Sequence, residues 1–154
     1  MNAVEAFELT TGGGATDFAR LIAACEAFGP YCLIGGLAVN CYVEPVYTLD
    51  AAIVVERMPS PHAFSAVSEL RIQFTTDERY QRFLSRAVDA IVLGTSVKVA
   101  SLEDVTRGKL WAYTDSSRRL SKRKKDELDL IRLGEAYPKL RLLFPEELMK
   151  QFEQ

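Results

Sequence analysis

The sequence has little histidine and little cysteine, and it has no long apolar run. Its one histidine, His62, excludes zinc sites built from several histidines and argues against a histidine-based catalytic triad. The three cysteines form no CxxC pair and lie in or beside apolar runs, which predicts buried, reduced thiols. No apolar run approaches the roughly 20 residues of a membrane-spanning helix, and the first ten residues do not resemble a secretory signal. We therefore expect a cytoplasmic protein without a membrane partner.

What the sequence does contain is enough apolar material for a core. Of its 154 residues, 48% are hydrophobic, which fits one globular domain. Residues 1–15 end in three consecutive glycines that no GK[ST] motif follows, so they predict a flexible lead-in instead of a phosphate loop. Residues 16–154 are expected to form a single domain, helical from about residue 101 onward.

Helical and strand-like patterns alternate along this domain. Strands are predicted at residues 31–34, 48–55, 71–75, 88–93 and 96–100, the last two as a hairpin. Helices are predicted at residues 16–28, 36–43, 77–85, 101–113 and 118–136, from Ser60-Pro61 onward with Phe64, Val67 and Leu70 facing inward, and from Pro145 onward. This order predicts an α/β (α+β) fold, with a small mixed sheet flanked by helices and a helical C-terminal third.

The segments 35–40 (GGLAVN) and 47–55 (YTLDAAIVV) contain the first candidate site. Gly35 and Gly36, at a strand-to-helix junction, allow close backbone approach to a ligand, and a helix N-terminus favours anions. Asp50 follows on a strand, where a carboxylate beside a phosphate cradle ordinarily binds Mg²⁺. The alternatives are a tight turn that needs glycine and a solvated acid at a strand end.

The segment 101–133 (SLEDVTRGKLWAYTDSSRRLSKRKKDELDLIRL) contains the second candidate site. Its order of Lys109, then Arg118 or Arg119, then Lys125-Asp126 and Asp129-Leu130 resembles the C-terminal signature of AbiEii-type proteins. Together with the glycine pair and the Asp50 strand, it makes residues 18–135 similar to the nucleotidyltransferase superfamily. The resemblance implies the nucleotidyltransferase-like fold and transfer of a nucleotidyl group from Mg²⁺–NTP to a hydroxyl on RNA, protein or a small molecule. Many AbiEii-type members are toxins paired with an antitoxin protein, and some act on tRNA.

The resemblance also implies roles for individual residues. The implied catalytic residues are Asp50, Lys109 and Asp126. The implied nucleotide-binding residues are Gly35, Gly36, Thr48, Lys109 and Lys125. Asp50 is the implied Mg²⁺ ligand, together with position 52 if that position holds an acid. Two simpler interpretations remain open: Lys109 extends along an apolar surface, or Asp126 pairs with neighbouring lysines on its own helix.

The sequence departs from the family pattern at the second metal carboxylate. Ala52 stands where the superfamily has an acid, and Gln73 stands where a later strand often supplies a third; Asp77 and Asp89 are poor substitutes. We expect the chain as it stands to be weakened or inactive. Either Ala52 is an engineered replacement, or the chain has lost activity naturally. In the second case it is a non-catalytic nucleotide-binding or antitoxin-like regulatory module.

Basic residues are concentrated in one part of the chain. Residues 98–125 hold nine Lys and Arg against three acids, although the whole chain has a net charge of −2. The densest run predicts contacts with RNA or tRNA phosphates. The residues concerned are Arg118, Arg119, Lys122, Arg123 and Lys124. A solvated helix face is the alternative interpretation.

Overall fold

The computed structural model describes residues 1–60 and 64–153. Within them, a five-stranded mixed sheet has the order β3-β2-β1-β5-β4. The strands are β1 (Tyr31–Ile34), β2 (Asp50–Val55), β3 (Arg71–Thr75), β4 (Val88–Val92) and β5 (Thr95–Val99). β1 is antiparallel to β2 and parallel to β5, β2 is parallel to β3, and β4 is antiparallel to β5.

Helices pack around this sheet and make up most of the chain after it. The α-helices are α1 (Ala3–Thr11), α2 (Gly14–Phe28), α3 (Gly35–Val39), α4 (Phe83–Arg86), α5 (Leu102–Thr114), α6 (Leu120–Ala136) and α7 (Glu146–Met149). Short 3₁₀ helices lie at Glu78–Tyr80, Pro138–Leu143 and Lys150–Glu153. A mixed sheet with flanking helices and a helical C-terminal part confirms the predicted fold class.

Residues 3–11 form a helix, so the prediction of a flexible segment is wrong for them. Asn2 and Glu5 cap each other's backbone N–H groups at the start of α1, and Gly12 ends it in the left-handed conformation. Phe7 is buried, and its ring centroid lies 5.8 Å from that of Tyr47. The burial of Phe7 and the caps together stabilise the helix; the division of the chain at residue 15 stays a prediction.

The helix predicted from Ser60-Pro61 onward is not found over residues 64–70, and residues 61–63, including His62, lie outside the described residues. The backbone N–H groups of Val67 and Ser68 donate to the Asp17 carboxylate at 3.0 and 2.7 Å. Glu69 N–H donates to the carbonyl of Thr11. These long-range bonds replace the hydrogen bonds that a helix would need, and a periodicity argument does not detect them.

The core is one cluster of buried side chains from the sheet and from the inner faces of several helices, among them α2 and α6. Its fully buried side chains include Phe18, Leu21, Leu33, Ile53, Leu130 and Leu133. Leu120 and Leu128, apolar residues of α6, are 62% and 52% exposed. The buried face of α6 instead follows Asp126, Leu130 and Leu133, at helical spacing, so both exposed leucines lie off it.

Cys25 and Cys32 are buried free thiols as predicted, and Cys41 is a half-buried one. Burial raises the pKa of the Cys25 thiol to about 11 and that of Cys32 to about 12, so both stay protonated near neutral pH. Among the described residues, no helix combines the length and the apolar character needed to cross a bilayer.

Candidate functional site

The glycine pair lies where β1 ends and α3 begins. Ile34, the last residue of β1, pairs with Ala52 of β2 in antiparallel register. Gly35 follows with a φ of 75°, a conformation that residues with a Cβ rarely adopt. A Cβ at Gly35 would lie 3.4 Å from the Cβ of Ala52. The glycine turn and the Asp50 strand are therefore direct neighbours.

The side chains of β2 alternate between the core and a more open face. Asp50 and Ala52 are half-buried on the open face, and the residue between them is buried on the opposite one. Thr48 Oγ1 accepts a hydrogen bond from Asp50 N–H at 3.2 Å, and a Cβ at Gly36 would lie 3.5 Å from the same oxygen. This group is called the β2 face below: Gly35, Gly36, Thr48, Asp50 and Ala52.

Both oxygens of the Asp50 carboxylate are engaged by basic side chains. Arg71 Nε lies 2.7 Å from Oδ1, and Lys122 Nζ lies 3.3 Å from Oδ2. Arg71 is the β3 residue in register with Asp50, and Lys122 reaches it from α6. Burial would raise the pKa of Asp50, but the hydrogen bond from Arg71 and the charge of Lys122 outweigh it, so the pKa lies below its usual value. Asp50 is therefore ionised and paired.

The donor set of the β2 face does not fit Mg²⁺. Ala52 pairs in register with Gln73 of β3, so the two positions that would supply further acids lie side by side without a carboxylate. Asp77 is bonded to Arg79, and Asp89 on β4 is paired with Lys98. Over the described part of the chain, no group of three or more His, Cys, Asp or Glu side chains is arranged to hold a metal ion. One carboxylate already bonded to two cations is a poor ligand for a divalent ion.

The predicted residues of the C-terminal segment meet in a second, buried cluster. Lys109 Nζ lies 3.1 Å from Asp126 Oδ1 and 2.8 Å from Asp129 Oδ2. Arg118 Nε lies 2.7 Å from the other oxygen of Asp126, and Arg132 lies 2.9 Å from Asp129. The buried cluster is thus three cations around two carboxylates: Lys109, Arg118, Arg132, Asp126 and Asp129.

The two clusters differ in the free energy needed to separate their ion pairs. The side chains of Lys109 and Asp126 are only 10% and 1% exposed, and removing one partner of such a buried pair costs about 3–5 kcal/mol. Asp50 and Arg71 are 41% and 62% exposed, and pairs of this kind contribute about 0–1 kcal/mol. An incoming anion therefore separates Asp50 from its cations far more easily than it draws Lys109 out of the interior.

Helix α6 connects the clusters. Lys122, which reaches Asp50, and Asp126, which binds Lys109, are four residues apart and lie on one face of the helix. The two sequence segments singled out above therefore approach each other through this helix. Lys125 is exposed, and no hydrogen bond or ion pair joins it to the other predicted site residues within the described chain.

The basic run of α6 does not form one uniform surface. Arg118 and Lys122 are paired with the carboxylates of Asp126 and Asp50. Arg119 and Lys124 are exposed, while Arg123 donates a hydrogen bond to the carbonyl of Arg118. Within residues 1–60 and 64–153, Arg119, Arg123, Lys124 and Lys125 are therefore the cations of this run that no carboxylate on another element holds.

An apolar cavity of about 720 Å³ adjoins the β2 face. Its walls come from α1, α3, the loop before β2 and the end of β4, and they include Phe7, Leu37, Tyr47, Thr48 and Val92. Thr48 belongs to both the cavity and the β2 face. The sequence reasoning missed this cavity because it treated residues 1–15 as flexible; the signal available was the capping box at Asn2 and Glu5. It also missed Arg71, whose contact with Asp50 depends on strand register.

Comparisons with known proteins agree with the predicted fold. The chain is similar to the crystal structure of an antigenic nucleotidyltransferase-like protein from Paracoccidioides brasiliensis, with a TM-score of 0.52 and 17% sequence identity. The match covers 89% of this chain and 92% of that one. No protein-family model matches the chain, and no curated protein matches it. At this identity the likeness shows the fold: the chain has a nucleotidyltransferase-like fold, and the AbiEii-type branch stays a prediction.

Proposed function

We propose that this protein is a nucleotidyltransferase-type protein that binds an NTP with its phosphates against the β2 face. The observation that carries the proposal is the pairing of Ile34 with Ala52, which brings the glycine turn so close to the strand bearing Asp50 that a Cβ at Gly35 would lie 3.4 Å from the Cβ of Ala52. Backbone N–H groups at a glycine turn approach phosphate oxygens closely. The nucleotidyltransferase-like fold supports the same assignment.

The apolar cavity beside Thr48 is the proposed site of the nucleoside. Its volume of about 720 Å³ lies within the roughly 300–1,000 Å³ typical of small-molecule sites. Tyr47 is 61% exposed, so its ring is accessible to a base. The ring centroid of buried Phe7 lies 5.8 Å from that of Tyr47. Stacking on an aromatic ring does not discriminate between bases. This agrees with a cavity wall that has few polar groups.

The proposed reaction is attack of an acceptor hydroxyl on the α-phosphate, with pyrophosphate leaving in line. The chain as it stands lacks an acid at position 52 and is proposed to be weakened or inactive. Loss of one preorganised group typically lowers the rate on the order of 10²-fold or more. Mg²⁺ belongs to this proposal only for a chain in which position 52 holds an acid beside Asp50.

The acceptor is proposed to be an RNA hydroxyl, with tRNA as the first candidate. Arg119, Arg123, Lys124 and Lys125 supply positive charge on α6, the helix whose Lys122 reaches the β2 face. The toxin-type role and a cognate antitoxin protein are part of the proposal through the sequence resemblance alone.

A non-catalytic nucleotide-binding or regulatory module is the second candidate. The observation that favours it is the pairing of Ala52 with Gln73, because two acid positions and not one are without a carboxylate. An engineered replacement of residue 52 explains the missing acid at position 52 but not the missing acid at position 73. Both candidate functions include nucleotide binding, and only the first includes transfer of a nucleotidyl group.

The experiment that separates them restores the acid. The Ala52→Asp variant is incubated with labelled NTPs, Mg²⁺ and total tRNA, next to the original chain and a double variant carrying both Ala52→Asp and Asp50→Asn. Label transfer by Ala52→Asp, lost in the double variant, supports the enzyme. NTP binding without transfer supports the module, and absence of NTP binding in all three chains contradicts both.

A further inference from the structure

We propose that Arg71 and Lys122 bind the nucleotide phosphates directly, taking the place that a divalent cation holds between paired carboxylates. The ligand class is the polyphosphate chain of an NTP that carries no bound metal ion. This inference rests on the proposed function, because it takes nucleotide phosphates at the β2 face as its starting point.

The charges around Asp50 favour an anion. Ala52 and Gln73 face each other without charge, and Asp50 stands between the guanidinium of Arg71 at 2.7 Å and the ammonium of Lys122 at 3.3 Å. Two positive charges against one negative charge leave the group positive. A divalent cation would have to displace both side chains and would then keep a single carboxylate, whereas a polyphosphate is attracted by both cations.

The two cations are also accessible. The side chains of Arg71 and Lys122 are 62% and 30% exposed, and they approach Asp50 from two different elements, β3 and α6. Because Arg71 contacts Asp50 through Nε, a phosphate can share the guanidinium with the carboxylate or replace it. Asp50 is two residues from Ala52, which a Cβ at Gly35 would approach to 3.4 Å, so phosphates bound in this way are expected beside the glycine turn.

The buried cluster does not offer the same chemistry. Lys109, the lysine that sequence resemblance assigns to the triphosphate, lies between Asp126 and Asp129 with its side chain 10% exposed. Drawing it out would leave two buried carboxylates short of a cation. The geometry therefore favours Lys122 over Lys109 as the lysine that meets the phosphates.

The first test uses the unaltered protein. Binding of ATP and of GTP is measured by isothermal titration calorimetry in EDTA and again in excess Mg²⁺. The proposal expects the affinity in EDTA to equal or exceed the affinity in Mg²⁺, since the metal competes with the side chains for the phosphates. An affinity that rises about tenfold or more with Mg²⁺ overturns it.

The second test uses variants in EDTA. Arg71→Gln and Lys122→Gln are each expected to weaken nucleotide binding about tenfold, the effect of losing one charged hydrogen bond. Lys98→Gln is the matched control, because Lys98 is also an exposed cation paired with an acid, Asp89, on a neighbouring strand. Asp50→Asn is expected to tighten binding in EDTA, because the carboxylate competes with the phosphates for the two cations.

The outcomes distinguish this inference from the proposed function. Binding that needs Mg²⁺ and is lost in Asp50→Asn overturns the role of the two cations and leaves nucleotide binding at the β2 face intact. Absence of binding in both EDTA and Mg²⁺ removes the proposed function as well. Thermal unfolding of each variant shows whether it has folded, and the comparison of EDTA with Mg²⁺ does not depend on any variant.

Discussion

The ammonium of Lys109 lies 3.1 Å from Asp126 Oδ1 in the interior between α5 and α6, and this pair joins the two helices. Both residues were predicted to belong to a nucleotide site. Their burial gives them a second consequence that is independent of any ligand, because a buried carboxylate that loses its cation is strongly unfavourable.

We expect Lys109→Met to lower the free energy of unfolding by about 3 kcal/mol. The value lies at the lower end for a buried pair, since Arg118 and Arg132 remain beside the two carboxylates. Urea denaturation followed by circular dichroism measures it. Lys124→Met is the control, because the Lys124 side chain is 65% exposed and pairs with Glu127 at the surface. Its free energy of unfolding should change by no more than about 0.5 kcal/mol.

The same variant also tests the role that sequence resemblance assigns to Lys109. A chain with Lys109→Met that keeps its stability but loses NTP affinity would identify Lys109 as a triphosphate ligand and contradict a structural role. Lost stability with retained NTP affinity in the folded fraction is the result we expect.

Asp104 makes the stability of the protein depend on pH. Its side chain is fully buried at the start of α5 and bonds to Arg86 and Arg107. Burial would raise the pKa of this carboxyl, but the hydrogen bonds from Arg86 and Arg107 outweigh it, so the pKa lies below its usual value. The stabilisation is therefore fully present above pH of about 4 and is lost as the pH falls through the folded-state pKa.

We expect unfolding free energies to fall as the pH drops below about 4, and Asp104→Asn to flatten part of that fall. Asp17 and Asp50 also have lowered pKa values, so the variant keeps a residual slope. Urea denaturation at a series of pH values, with Asp89→Asn as an exposed control, gives the comparison. Parallel pH profiles for the original chain and Asp104→Asn would contradict this assignment.

Local signals predicted those parts of the fold that local chemistry determines. β1 and β3 have the predicted bounds, and α2 ends at Phe28, the predicted last residue of that helix. Residues 64–70 were mispredicted because their backbone bonds go to Asp17 and Thr11, far away in sequence. No periodicity within the segment carries that information.

In the candidate site, too, some contacts could be predicted from the sequence and others could not. The approach of Gly35 to Ala52 was predictable, because a strand, a glycine turn and a returning strand leave few arrangements. The contacts of Asp50 were not, since Arg71 reaches it only through the parallel register of β2 and β3. Which lysine lies beside Asp50 depends on the placement of α6. The resemblance implied Lys109 as the lysine of the nucleotide site, whereas the structure brings Lys122 to Asp50.

The apolar cavity predicts a specific effect of Tyr47 on nucleotide binding. Removing an aromatic stacking platform typically costs about 1–3 kcal/mol per base, so Tyr47→Ala should weaken NTP binding roughly five- to a hundredfold. Inorganic tripolyphosphate has no base, and its affinity should not change. Competition binding with both ligands measures the difference, and Leu142→Ala, at a side chain 90% exposed, is the control.

Equal losses for the NTP and for tripolyphosphate would show that Tyr47 acts by holding the loop before β2. That result would place the nucleoside outside the cavity. A loss confined to the NTP supports the cavity as the nucleoside site.

The cations at and after the start of α6 that no carboxylate on another described element holds predict how RNA binding depends on salt. If Arg119, Arg123, Lys124 and Lys125 each contact one phosphate, log affinity should fall with log salt with a slope of roughly −3, the value for about four neutralised phosphates on single strands. Arg119→Ala and Lys124→Ala should each reduce the steepness by about 0.7, the contribution of one phosphate contact on a single strand. Filter binding of total tRNA over a salt series measures these slopes, and Lys98→Ala, on β5 away from α6, should leave the slope unchanged. A flat salt profile would mean that these side chains form an ordinary solvated helix face, because displacement of counterions by a phosphate-binding surface cannot be independent of salt.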